Sequence, residues 1–115
     1  MSNTQIEAIE RNIRNSKGAI ELGNAVERLR TNKDFRKVVM EGYFEKEAIR
    51  LVHLKSDPAM QGTESQQSIT TQMDAIGNMS QYMNTVLQKA ALAGKSLESD
   101  EETLVELSEE GLSHE

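Results

Sequence analysis

His53 and His114 are the only histidines in a 115-residue chain that has no cysteine, so acid–base or nucleophilic chemistry would have to start from an imidazole or a hydroxyl. His53 closes a partly apolar stretch with no second histidine, cysteine or paired serine in register, a setting that suits capping or packing. His114 is almost terminal. Glu41, Glu45 and Glu47 lie close together, but only Glu41 and Glu45 are four apart and no imidazole joins them; a solvated helix face explains them better than a metal site. No strand leads into a glycine-rich phosphate loop. These residues point to a protein that is not an enzyme and takes no metal and no cofactor.

The densest basic cluster is Arg28, Arg30, Lys33, Arg36 and Lys37, a candidate anion-binding corner that could neutralise a few phosphates. The charge balance argues against nucleic acid as its purpose. The chain carries −6 overall, and eight of its 19 acids fall after Lys95, where there is no Lys or Arg. The other eleven acids against all thirteen bases leave residues 1–95 at only +2. An exposed charged corner, or one shielded by the acidic end of the chain, accounts for the cluster equally well.

The elements that would carry these residues are all helical. From Thr4 to about Arg30, Ile6, Ile9, Ile13 and Ile20 line one seam by steps of three, four and seven. Leu22, Val26 and Leu29 then sit on a rotated face, so a bend or stutter between Gly18 and Gly23 is expected. Thr31 and Asn32 break this helix and cap the next. The second helical region holds both phenylalanines and Tyr43, and its apolar residues form two stripes: Phe35 and Val39, then Phe44, Ala48, Leu51 and Leu54. The offset falls at Gly42, which predicts a kink or a join there. Asp57 and Pro58 end the region.

Thr63-Glu64-Ser65-Gln66 has the form of a capping box and opens a third helix. Ile69, Met73, Ile76, Ser80, Met83, Leu87 and Ala90 then alternate by four and three, widened on one side by Met79, Tyr82 and Val86. Gly94 is the expected stop. Residues 96–115 read as an acidic tail, disordered or marginally helical, with Leu104, Val105 and Leu107 as a motif that orders on docking. The expected fold is therefore all-α: three main helices, the second kinked near Gly42, in an open bundle or hairpin over residues 1–95, plus a flexible acidic tail. With 37% apolar and 3% aromatic residues the core is thin. Such seams are more often the core of a helical bundle than an interface, but one chain with so few aromatics can scarcely cover both, so Ile6, Ile9, Ile13, Ile20, Ile69, Met73, Ile76, Met83 and Leu87 are also candidates for an interface with a protein partner or a second copy. The opening MSNTQIEAIERNIRN has no uninterrupted apolar run, so neither a signal peptide nor a membrane span is expected.

The segment NKDFRKVVMEGYFEKEAIRLVHLKSDPAM, followed by QQSITTQMDAIGNMSQYMNTV, resembles a block found in small α-helical proteins of tailed bacteriophages, some encoded among head and virion genes. The resemblance covers about residues 32–88 and carries no catalytic or ligand residue. It implies a non-enzymatic protein made in the cytoplasm of an infected bacterium, or carried in the virion, that works as a structural or assembly component by helix-mediated oligomerisation or partner binding. The alternative it implies is an accessory regulator that binds a host protein, with the acidic tail imitating nucleic acid.

Overall fold

The computed structural model describes residues 2–113; His114 and the terminal Glu115, included above in the tail, lie outside the described residues. The fold is all-α, with three helical stretches and no strand among the described residues. They are α1, Ser2–Thr31; a composite stretch made of α2, Lys33–Phe35, a π-helix, Arg36–Glu47, and α3, Ala48–Ser56; and α4, Thr63–Ser113. The chain divides into two compact units. One joins α1 up to Ala25 with α4 from Val86 onward, and the other comprises residues 26–85.

In the first unit the isoleucine seam does not change phase. Ile13, Ser16 and Gly23 are buried and Ile6, Ile9 and Ile20 half-buried, which continues the three–four alternation through two small residues. Leu22, expected to open a new face, is 48% exposed. The helix runs unbroken through Gly18 and Gly23. Gly23 serves close approach, since a Cβ placed there would fall on the Cβ of Ala90. On α4 the matching seam is Val86, Ala90, Ala93, Leu97, Asp100, Leu104 and Leu107, buried or half-buried in steps of four and three. Gly23, late in α1, meets Ala90, early in this part of α4, and burial continues from there to Ile6 on one helix and Leu107 on the other. The two helices therefore run antiparallel. Residues 96–113 belong to α4 and do not form the flexible tail expected from their acidity; Gly94 does not end the helix. Leucines spaced seven and three apart outweigh the acidic composition once α1 supplies a surface to bury them.

In the second unit, Asn32 caps the composite stretch as its residue type predicts, its Oδ1 accepting from the Phe35 amide at 2.9 Å. The expected kink at Gly42 is replaced by π winding over Arg36–Glu47. Phe35, Val39, Phe44 and Ala48 are separated by four, five and four residues, a period too long for an α-helix but close to that of a helix bonded i to i+5. All four are half-buried, so the wider winding merges into one face two stripes that an α-helix would hold apart. Leu51, fully buried, Ile69 and Ile76 form the core, and Tyr43, Phe44, Ala48, Leu54, Met60 and Met73 pack against it. Tyr43 and Phe44 lie in tilted ring contact, centroids 5.9 Å apart.

A tight turn joins α3 to α4 and makes this unit a hairpin. Asp57 Oδ1 accepts from the Ala59 amide at 2.9 Å and opens a 3-10 turn over Pro58–Met60. Gln66 does not reach back to Thr63 as in a capping box. Its side-chain amide donates to the carbonyls of Lys55, 3.1 Å, and Met60, 2.8 Å. Gln61 donates to the same Lys55 carbonyl at 3.0 Å and to that of Asp57 at 2.7 Å, so the Lys55 carbonyl at the end of α3 is satisfied by two glutamine side chains.

Two outcomes follow for stability. Gly23→Val should destabilise by about 1–3 kcal/mol, because the new side chain must push α1 from Ala90, whereas Gly18→Ala, in open space on an exposed helix surface, should stabilise by about 0.5–1 kcal/mol; urea denaturation of the two variants checks the opposite signs. Truncation after Lys95 should lower far-UV helicity by more than the removed residues account for, since Ile6, Ile9 and Ile13 lose the surface that covers them.

Candidate functional site

The residues with chemical potential sit apart from one another. His53 is exposed in the last turn of α3, where a cation suits the helix end. Glu41 and Glu45 lie on the π-helix and are exposed. Glu47 is instead engaged by Arg50, whose Nε donates to both carboxylate oxygens at 3.1 and 3.0 Å while Nη2 donates to Oε1. This pair spans the join between the π-helix and α3. Among the described residues no three His, Cys, Asp or Glu side chains converge as a metal site would require. No helix among them is long and apolar enough to cross a membrane.

The basic corner is less basic than its sequence. All five of Arg28, Arg30, Lys33, Arg36 and Lys37 are exposed, but Arg30 is paired with Glu27 at 3.4 Å. A concavity of about 560 Å³ beside it is lined by Arg30, Arg36 and Lys46 and equally by Glu27, Glu41 and Glu45. A second, of about 410 Å³, brings Lys33, Arg36 and Lys37 together with Glu41. Carboxylates thus share both concavities with the cationic groups, so a phosphate bound there would meet repulsion as well as attraction.

The apolar candidates divide. Ile13, Ile69, Ile76 and Met83 are buried within the chain, and Ile6, Ile9, Ile20, Met73 and Leu87 are half-buried, so the seams proposed as an interface are the interior of the two units. Of the motif Leu104, Val105 and Leu107, the two leucines are half-buried in the first unit and Val105 is left 57% exposed. Glu98, Glu101, Glu102 and Glu106 line a concavity of about 420 Å³ with that valine. The large apolar side chains open to solvent are others: Leu22, Leu29, Val38, Ile49, Val52, Met79, Tyr82 and Leu92, each at least 39% exposed. Sequence reasoning assigned Leu22, Val26 and Leu29 to one face and Met79, Tyr82 and Val86 to another. Val26 and Val86 are buried and their companions are not. The signal that separates them is the unbroken seam through Ser16 and Gly23, which leaves Leu22 beside the buried row.

Compared with family models, with curated proteins and with solved structures, the chain gives no match. Its class is defined by its own geometry: paired helices with thin cores and large exposed apolar side chains.

The hydrogen bonds from Arg50, together with its charge, hold the Glu47 carboxyl below the usual glutamate range, and Glu47 holds the Arg50 guanidinium correspondingly higher. A depressed carboxyl contributes stability above the unfolded-state value, about 4.3, and loses it as pH falls through the lower folded-state midpoint. An NMR titration should therefore find the Glu47 midpoint below the usual glutamate value, and Arg50→Gln should raise it.

Proposed function

We propose that this protein acts without catalysis, by binding another protein surface, and that its first partner is a second copy of itself. The observation that carries this reading is exposed apolar surface. Among the described residues nine large apolar side chains are at least 39% exposed, Leu92 at 65% and Val38 at 67% among them, of the kind that association covers. The likeness of residues 32–88 to small helical proteins of tailed bacteriophages supports a structural or assembly role in such a phage, as a head or virion component or a scaffold-like protein.

A second reading draws support from the carboxylates around Val105. Four glutamates fixed on one ordered helix offer a spaced array of negative charge with an apolar centre, suited to a basic groove on a host protein, which an accessory regulator would occupy in place of nucleic acid.

Sedimentation equilibrium over a wide concentration range should give a mass rising above 12.9 kDa. A monomer at every concentration would overturn the self-assembly reading. Replacing Glu98, Glu101, Glu102 and Glu106 by glutamine should leave self-association intact if that reading holds, and abolish salt-sensitive capture of a basic partner if the regulator reading does.

A further inference from the structure

We infer that residues 97–113 form a detachable strap on the first unit: they undock from α1 and unwind as one piece, and Asp100, set in the seam, fixes where the opening starts. The strap works within a single chain and so stands apart from the self-association proposed above.

On the α4 seam a half-buried carboxylate, Asp100, stands between Leu97 and Leu104, where the alternation calls for an apolar group. Among the described residues its side chain has one hydrogen bond, accepted from the Ser96 hydroxyl of its own helix at 3.4 Å. Neither ion pair of the described residues involves it. A carboxylate drawn partly out of water with so little compensation weakens the row that holds it. Burial divides at the same point. Equal steps along both helices from the approach of Gly23 to Ala90 bring Ile13 level with Asp100, Ile9 with Leu104 and Ile6 with Leu107. The buried members of the two rows, Ile13, Ser16, Gly23, Val86 and Ala93, all lie at the level of Asp100 or on the Gly23 side of it. Beyond it Ile6, Ile9, Leu104 and Leu107 are only half-buried.

The two helices differ in what they do once parted. α1 carries Glu7 four residues before Arg11 and Glu10 four before Arg14, an order of charge that supports a helix without help from a neighbour. Residues 97–113 carry seven acids and no base, and Glu98, Glu102 and Glu106 follow one another at the spacing where like charges repel on a helix. The last turn of α4 holds no cation to offset the negative end of the helix. Without α1 beneath it this segment has little to keep it wound, because packing rather than propensity supplies most helical stability in proteins. Undocking therefore leaves α1 helical and α4 frayed back to Asp100, and it bares Ile6, Ile9 and Ile13 on an intact helix. The strap moves that isoleucine row between a covered and an open state.

Amide hydrogen exchange of the full-length chain, read by mass spectrometry, tests this. In wild type, residues 101–107 should exchange at least about tenfold faster than residues 86–96 of the same helix, and faster than residues 6–13 of α1. Asp100→Leu and Glu101→Leu remove the same charge and add the same side chain, the first in the seam and the second at an exposed position. The first should slow exchange over 101–107 by at least about tenfold and the second by less than about threefold. A single cysteine replacing Ile9, in a chain with no other, should be labelled more slowly when Asp100→Leu is added, since the strap then stays down. Exchange over 101–107 no faster than over 86–96 would overturn the strap. Equal slowing by the two leucine variants would remove Asp100 as the point of opening, and exchange of 6–13 in step with 101–107 would show that α1 does not stay wound.

Discussion

Two helices laid side by side can bury only one stripe on each, and nearly every feature of this molecule follows from that limit. In the first unit the stripe is made narrow by Ser16, Gly23, Ala90 and Ala93, so the backbones come close and little volume is enclosed between them. In the second, a single leucine, Leu51, is fully covered, with Ile69 and Ile76 beside it. A core of this kind leaves the flanking positions to water whatever their type, which is why Leu22, Tyr82 and Leu92 stand open. The stabilising burden falls instead on the precise alternation of the seams and on polar ties such as those from Gln61 and Gln66 to the end of α3.

Much of this was legible in the residue order, and what was not has a physical reason. The all-α class, the breaks at Asn32 and at Asp57-Pro58, and the Ile69–Met83 stripe follow from periodicity and capping, which are local. The seam of α1 was half visible. Isoleucines mark it, but Ser16 and Gly23 do not announce burial by their type, and Leu22 and Leu29 pull the eye to a face that stays wet. The order of residues 96–113 was hidden because the surface that covers them comes from the first 25 residues, about as distant in sequence as the chain allows. Their acids were plain to see and their partner was not. The interface candidates followed the same logic in reverse, since the most hydrophobic rows are the ones the chain keeps for itself.

The polar groups show how geometry revises a charge count. The cluster at Arg28–Lys37 is the densest run of bases in the sequence, yet winding brings Glu27, Glu41 and Glu45 onto the same concavities. The acids after Lys95, by contrast, become more concentrated on folding, because one helix holds Glu98, Glu101, Glu102 and Glu106 around Val105. Of these two charged regions, only the second survives as a one-signed surface.

The π-wound stretch from Arg36 to Glu47 carries a consequence for how this protein tolerates change in its gene. Each turn bonded i to i+5 holds roughly one residue more than its α counterpart. A deletion of one codon within this stretch can be absorbed by letting one turn revert to α bonding, and the flanking α2 and α3 keep their phase. The same loss inside α4 would rotate every residue beyond it off its seam. Length variation among descendants of this gene should therefore collect in this one helix, where it would otherwise be least expected.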